Sequence, residues 1–132
     1  MNPIRQGVDI VSVGRLAEAA RRHGERFLRR IFTDEERAYC ESKRFKFEHY
    51  AARFAAKEAM MKAVEVKRKN RFRFREIEVR RRPTGKPEIF LSPENWTRFD
   101  VPKGTQIELC MAHERTYAVS SVVLILPNGK SH

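Results

Sequence analysis

An acidic residue interrupts the apolar side of the longest helix that the sequence predicts. Residues 53–63 read RFAAKEAMMKA, and at about 100° per residue Glu58 falls in the middle of an apolar stripe. The stripe consists of Phe47, Tyr50, Ala51, Phe54, Ala55 and Met61. Because a buried, unpaired carboxylate is costly, we expect Glu58 to meet a metal ion or a cation, or to line a wet cleft. Lys62 lies one turn later on the same side.

A second acid, Asp9, lies inside the β-branched segment 7–13, which reads as a strand. Aspartate is depleted in strand interiors, so its position suggests a function. Two convergent carboxylates suit Mg²⁺, which takes one or two carboxylates and completes its shell with water and phosphate oxygens. The alternative is structural: Asp9 caps a turn, and Glu58 forms a surface ion pair with Lys62.

Four short motifs follow one another along the chain. They are Gly7-Val8-Asp9 with Arg15, then Arg53-Phe54-Ala55-Ala56-Lys57-Glu58 with Lys62-Ala63, then Gly85-Lys86-Pro87, then His113 before Tyr117-Ala118. In this order and at these separations the motifs resemble the holo-acyl-carrier-protein synthases, the small type of phosphopantetheinyl transferase. The resemblance extends over nearly the whole chain.

The resemblance implies an activity and a set of catalytic residues. Such enzymes transfer the 4′-phosphopantetheine group of coenzyme A to a serine of an apo acyl carrier protein and release adenosine 3′,5′-bisphosphate. Asp9 and Glu58 would be the protein ligands of Mg²⁺, and Lys62 would stabilise charge on a phosphate in the transition state. Two candidates remain for the general base, a metal-bound water and Glu58 itself.

Further residues are assigned by the same resemblance. His113 would contact a phosphate of coenzyme A, and Arg53, Lys86 and Pro87 would also contribute to the coenzyme A site. Arg15 would dock the acidic helix of the carrier protein. The family further implies a homotrimer with active sites between subunits and a role in fatty acid biosynthesis, with polyketide synthesis as the alternative source of the carrier protein. The lack of an apolar span and of a signal-peptide core predicts a location in the cytoplasm.

Two stretches depart from the family pattern. Residues 65–67 are Glu-Val-Lys where a Gly-Thr-Gly turn is usual, and Ala112 and Glu114 flank His113 where small hydroxyl residues are usual. Glu65 and Glu114 would repel a diphosphate unless they are turned away or paired. A catalytically silent relative of the family is therefore one alternative.

The charge distribution supplies a second alternative. The chain carries 28 basic and 17 acidic residues, a net charge of +11. Residues 67–82 contain nine basic and two acidic residues, with Phe72 and Phe74 between arginines. Interleaved basic and aromatic residues are typical of nucleic-acid surfaces, but alternation with period two equally indicates a half-buried strand. We favour the strand, and we expect no specific binding of nucleic acid.

Length and composition predict a single α+β domain over residues 1–132, with residues 127–132 as a solvated tail. No apolar run approaches the ~20 residues that span a bilayer, so we expect no membrane association. Cys40 and Cys110 lack metal-site spacing and are expected to be reduced, packed thiols.

The local patterns indicate a long helix packed centrally on an antiparallel sheet. Predicted helices cover residues 15–23, 26–31, 34–40 and 47–64, with a capping box between Thr33 and Glu36. Strands are predicted near residues 7–13, 72–79, 88–91, 106–111 and 117–126, and a short helix follows Ser92-Pro93. A bulge or change of element is expected near residues 75–76, because the phase of the apolar residues shifts there.

Overall fold

The computed structural model describes residues 3–64 and 73–127. Its helices are α1 (Val13–His23), α2 (Glu25–Ile31), α3 (Asp34–Glu41), α4 (Lys46–Val64) and α5 (Pro93–Arg98). Its strands are β1 (Ile4–Ser12), β2 (Glu78–Arg81), β3 (Pro87–Phe90), β4 (Gln106–His113) and β5 (Tyr117–Ile125). The predicted α+β class is confirmed, and the predicted helix positions agree with the observed helices to within one or two residues.

Local hydrogen bonds explain where the first helices begin. The Ser12 hydroxyl accepts from the Arg15 amide at the start of α1. At the start of α3, Thr33 Oγ1 accepts from the Glu36 amide at 3.2 Å, and Glu36 Oε1 accepts from the Thr33 amide at 2.8 Å. The predicted capping box is therefore confirmed, and it satisfies two amides that helix geometry leaves without partners.

The main sheet is antiparallel with strand order β1-β5-β4. The apolar strand β5 is central, as its continuous run of apolar and β-branched residues predicts. Strands β2 and β3 form a separate hairpin whose turn contains Gly85 at φ 93°, a conformation that favours glycine. Within the described ranges, no helix is long and apolar enough to cross a membrane.

Helix α4 lies against the inner face of the main sheet and separates two clusters of buried residues. One cluster joins its C-terminal half to β2, β3 and the sheet, and the other joins its N-terminal half to α1, α2 and α3. Small side chains on α4 let its backbone approach the sheet closely. The buried alanines are Ala52, Ala56, Ala59 and Ala63. The predicted central position of this helix is confirmed.

The expected strand around Phe74 is wrong. Phe74–Glu76 forms a 3₁₀ turn, and the strand begins only at Glu78. The Lys57 ammonium donates to the carbonyl oxygens of Phe74 and Ile77, and the Phe74 ring packs against Phe54 with centroids 5.3 Å apart. These contacts hold the backbone in a turn, which is the change of element expected near residues 75–76. Phe72 lies outside the described residues.

The two cysteines differ, although both were expected to be packed. Cys40 is fully buried, and burial raises the pKa of its thiol to about 12. Cys110 is exposed on β4, because it lies opposite Ser121 on the sheet face away from α4. Of the expected tail, residues 128–132 lie outside the described part of the chain.

Candidate functional site

Asp9 lies on β1, opposite Ser120 of the central strand β5. The Ser120 hydroxyl donates to the Ala52 carbonyl of α4 at 2.8 Å, which shows that this face of the sheet is the one that α4 covers. The Asp9 side chain is 20% exposed. An acid inside a strand is thus explained by its location at the edge of the contact between sheet and helix, where solvent still reaches it.

The close approach of α4 to β1 depends on Gly7. A Cβ at this position would lie 2.1 Å from the Ala59 carbonyl oxygen and 2.9 Å from Lys62 Cβ. Glycine therefore lets the helix rest directly on the strand. As a result, Lys62 Nζ lies 3.1 Å from Asp9 Oδ1 and 3.0 Å from the Val8 carbonyl oxygen. Residues 53 positions apart in the sequence meet in a direct ion pair.

Glu58 lies one turn before Lys62 and is half-buried. Of the apolar stripe expected around it, Tyr50, Ala51 and Ala55 are fully buried, whereas Phe47, Phe54 and Met61 are only partly buried. The alanines on the other side of α4 are buried as well. Glu58 therefore lies at the border of the core.

Asp9 forms an ion pair with Lys62, and Glu58 lies one helical turn before Lys62 on α4. Among the described residues, no group of three or more His, Cys, Asp or Glu side chains could hold a metal ion by itself. Two hard oxygen ligands nevertheless fit Mg²⁺ when phosphates and water complete its shell. The donor set suits a metal that binds together with a phosphorylated substrate.

His113 ends β4 and contacts the first turns of α4. Its Nδ1 lies 2.8 Å from Glu48 Oε1, and its ring meets the His49 ring edge-on at 4.8 Å between centroids. Burial lowers the pKa of His49, and the neighbouring His113, Arg53 and Lys43 lower it further. Glu48 and Lys62 are about four turns apart, so they leave α4 on the same side. His113 and Lys62 thus lie toward opposite ends of one side of the helix.

Arg53 leaves α4 on the opposite side. It is about two and a half turns from Lys62, which directs the two side chains away from each other. Its guanidinium lies 4.2 Å from the centre of the Tyr39 ring, and only 2% of the residue is exposed. Within one chain, Arg53 is therefore not brought together with Asp9, Glu58 and Lys62.

Lys86 and Pro87 lie at the turn of the β2–β3 hairpin. Lys86 Nζ is 3.2 Å from Glu108 Oε1 of β4, and Pro87 begins β3 opposite Arg81.

Arg15 lies in the first turn of α1 and is exposed. The last turn of this helix contains Arg21, Arg22 and His23, and the last turn of α2 contains Arg29 and Arg30. Helices α1 and α2 therefore present a basic surface beyond Arg15 itself.

Sequence reasoning missed a buried ion pair between α4 and α3. Lys57 Nζ lies 2.8 Å from Glu36 Oε1, and both side chains are fully buried. The second Glu36 oxygen accepts from the Val79 amide at 2.7 Å, and burial lowers the pKa of Lys57. The capping box predicted one role of Glu36, but its long-range partner has no signal in the sequence.

The departure at Glu114 does not place a free carboxylate beside His113. Glu114 Oε1 accepts hydrogen bonds from the amides of Thr116 and Tyr117, at 2.8 Å and 2.7 Å. The side chain thus closes its own β4–β5 turn. Residues 65–67, the other departure, lie outside the described residues.

Comparison with known proteins identifies a family. Residues 5–121 match the 4′-phosphopantetheinyl transferase superfamily. A holo-[acyl-carrier-protein] synthase of Koribacter versatilis is 41% identical over 118 residues, which cover 89% of this chain and 94% of that protein.

Solved structures agree with the sequence match. A Helicobacter pylori holo-[acyl-carrier-protein] synthase in complex with coenzyme A is 30% identical, with a TM-score of 0.78 over 90% of this chain and 98% of the other. A Bacillus anthracis holo-(acyl-carrier-protein) synthase in complex with CoA (3′,5′-ADP) is 31% identical, with a TM-score of 0.73 over 92% and 96% of the two chains. With a family match over most of its length and the same fold, this chain belongs to the 4′-phosphopantetheinyl transferase superfamily.

Proposed function

We infer that this chain is a holo-[acyl-carrier-protein] synthase, which transfers 4′-phosphopantetheine from coenzyme A to a serine of an apo acyl carrier protein. The observation that carries this function is the contact of Lys62 with Asp9, one helical turn from Glu58. A nucleic-acid surface gains nothing from two carboxylates around a lysine, whereas transfer from a diphosphate requires cationic and metal-binding groups together.

The reaction explains why these residue types are needed. The serine oxygen bonds to the β-phosphorus of coenzyme A, and the bond from that phosphorus to the bridging oxygen breaks. Adenosine 3′,5′-bisphosphate leaves with the bridging oxygen, and the serine proton passes to a base. Lys62 would stabilise negative charge on the phosphates, and the proton would pass either to Glu58 or to a metal-bound water.

Asp9 and Glu58 would hold Mg²⁺ in this site. When bound, the ion would neutralise the diphosphate and act as a Lewis acid. The Asp9 carboxylate already binds the Lys62 ammonium, so the same carboxylate orients a phosphate-binding lysine. This arrangement supports a role for Asp9 in positioning as well as in metal binding.

His113 would bind the nucleotide portion of coenzyme A. Glu48 fixes the orientation of its ring through Nδ1, so Nε2 is the nitrogen that can face a ligand. Lys86 and Pro87 of the hairpin would complete the coenzyme A site from a neighbouring subunit. The role of Arg53 as a coenzyme A contact stays a prediction, and Arg53 lies one turn from His49, whose ring contacts His113.

We propose a homotrimer, because the outer face of the main sheet is apolar and exposed. Among the described residues of this face, Val8 is 57% exposed, Ile10 62%, Tyr117 51% and Val119 37%. Contiguous exposed apolar surface of this kind marks an interaction site.

Ile10→Lys tests the assembly. A charge in the centre of the outer face should dissociate the oligomer and lower turnover, measured by light scattering after size exclusion and by the transfer assay. If the variant stays trimeric, the outer face is not the subunit interface. The cytoplasmic location expected from the sequence stays a prediction.

The transfer itself is tested by incubating the protein with coenzyme A, Mg²⁺ and an apo acyl carrier protein. Intact-mass analysis should show carrier that has gained one phosphopantetheine group. A carrier of unchanged mass would favour the catalytically silent relative. Salt-resistant binding of single-stranded oligonucleotides that coenzyme A does not affect would favour the nucleic-acid alternative.

A further inference from the structure

A cleft opens between the short helix α5 and the turn that leads into β4. Its volume is about 580 Å³, which lies within the range of small-molecule sites. Among the described residues that line it, none is one of those proposed for metal, coenzyme A or carrier binding. The cleft is therefore a second concave surface, distinct in its residues from the transfer site.

The end of α5 folds back on the helix and builds one wall. The Val101 amide donates to the Trp96 carbonyl oxygen at 3.0 Å, and the Asp100 amide donates to the Thr97 carbonyl oxygen at 3.2 Å. These two bonds are those of a Schellman motif, in which Asp100 at φ 55° takes the position that glycine usually occupies. The motif returns Val101 to Trp96, and both residues line the cleft.

Trp96 contributes apolar surface to this wall. Its Nε1 donates to the Leu91 carbonyl oxygen at 3.1 Å, so the one polar group of the indole already has a partner. The ring is partly buried against the core and also lines the cleft. Pro93, the first residue of α5, adds a further apolar surface. An apolar group would therefore fit against this wall.

The opposite side of the cleft is a β-turn that carries Lys103. The Thr105 amide and hydroxyl both donate to the Pro102 carbonyl oxygen, at 3.1 Å and 2.7 Å, and Gly104 at the third position of the turn has φ 92°. These features are those of a type II turn, which fixes the backbone of Lys103 beside the cleft.

Lys103 gives the cleft a positive charge. Among the described lining residues it is the one that carries a charge, and none is acidic. Lys103 also has no carboxylate partner within residues 3–64 and 73–127. Other described lysines do pair with carboxylates, namely Lys46, Lys57, Lys62 and Lys86. The charge of Lys103 is thus available to an anionic ligand.

We propose that this cleft binds a fatty acid, with the alkyl chain against Trp96 and Val101 and the carboxylate at Lys103. One lysine complements one negative charge, whereas a phosphate with several acceptor oxygens favours arginine forks. The apolar wall accounts for the alkyl chain, since each methylene removed from water adds to the affinity. The site shares no residue with the proposed transfer site, so it does not rest on that function.

Fluorescence titration of the full chain with octanoate tests the site. Trp96 is the one tryptophan of the sequence and lines the cleft, so its emission reports binding there. Octanoate should shift the emission to shorter wavelength in a saturable way, because the alkyl chain displaces water from the indole. Butyrate has fewer methylenes and should bind about tenfold more weakly or worse. No saturable response to octanoate, or equal affinity for butyrate, would overturn the proposal.

Lys103→Gln tests the charge, because it keeps a polar side chain and removes the ammonium. It should weaken octanoate binding about three- to fivefold, as expected for an exposed ion pair, and leave binding of the uncharged octanol unchanged. Lys103→Arg should restore the octanoate affinity. The matched control is Lys43→Gln, which removes an exposed lysine that lies over the Tyr39 ring. Equal losses in Lys103→Gln and Lys43→Gln would overturn the proposal.

The same signal distinguishes another occupant of the cleft. If Trp96 emission changes with protein concentration but not with octanoate, the cleft is a contact between copies of the chain and the proposal is wrong. The titrations contain neither coenzyme A nor carrier protein, and the assays of transfer contain no fatty acid. A failure of phosphopantetheine transfer would therefore refute the proposed function and leave the octanoate result unaffected.

Discussion

At the scale of single residues, the site depends on Lys62 and the two acids beside it. Lys62 contacts Asp9 directly, and it lies one turn from Glu58, so each carboxylate is near a cation before any substrate arrives. The Lys62 side chain is 54% exposed, which allows its ammonium to turn toward a phosphate at little cost. The ion pair therefore orients the Lys62 side chain and leaves it accessible to a substrate.

Asp9→Asn should lower transfer on the order of 100-fold or more, because the amide retains the shape but not the charge that a metal and Lys62 require. Coenzyme A binding should depend on Mg²⁺ in the parent and lose that dependence in the variant, as measured by calorimetry with and without the metal. Asp100→Asn is the control, since Asp100 has φ 55° and asparagine tolerates that conformation. Parent-like turnover of Asp9→Asn at ordinary Mg²⁺ would remove Asp9 from the metal site.

At the scale of elements, two contacts of α4 fix the site. Gly7 lets β1 approach the helix backbone, and this sets the distance between Asp9 and Lys62. On the far side, Lys57 joins the helix to Glu36 of α3 and to the carbonyls of Phe74 and Ile77. The ammonium has three donors and three acceptors, so the buried charge is fully satisfied.

Gly7→Ala should destabilise the fold by about 1–3 kcal/mol or more, because the new methyl group overlaps the Ala59 carbonyl oxygen. Separating strand and helix should also lengthen the Asp9–Lys62 contact and lower transfer. Gly14→Ala is the matched control, since the nearest atom to a Cβ there is 4.0 Å away and alanine favours helix. Urea unfolding measures both variants, and equal stabilities would show that the close approach does not need glycine.

Lys57→Met should cost about 3–5 kcal/mol of stability, because it leaves the buried Glu36 carboxylate without its cation. Lys62→Met removes a lysine from the same helix at a half-exposed position and should change stability by less than about 1 kcal/mol. Urea unfolding of both variants checks the difference. A similar small loss in both would mean that the Lys57–Glu36 pair makes no net contribution.

At the scale of the whole molecule, two exposed surfaces differ in their chemistry. Arginines on α1 and α2 present a basic surface near Arg15, whereas the outer face of the main sheet exposes apolar side chains. We propose the first surface for docking an acidic carrier protein and the second for contacts between copies of the chain.

Arg15→Glu should raise the KM for an acidic carrier roughly three- to tenfold while changing the KM for coenzyme A much less. The effect should shrink as salt is raised, because screening weakens interactions between exposed charges. The control is Lys103→Glu, which makes the same reversal of charge at an exposed turn outside α1. Steady-state kinetics at two salt concentrations make the comparison. If Arg15→Glu uses carrier as well as the parent at low salt, Arg15 has no docking role.

The helices, the central strand and the residues proposed for catalysis could be predicted from the sequence, because caps, periodicity and the motif around Glu58 are local signals. The strand predicted at Phe74 was wrong, because the long-range hydrogen bonds from Lys57 that hold the turn have no local signal. Only the tertiary structure brought Lys62 to Asp9, paired Lys57 with Glu36, and placed Arg53 on the far side of α4. Each of these depends on how closely distant segments pack, and Gly7 sets that distance for the site.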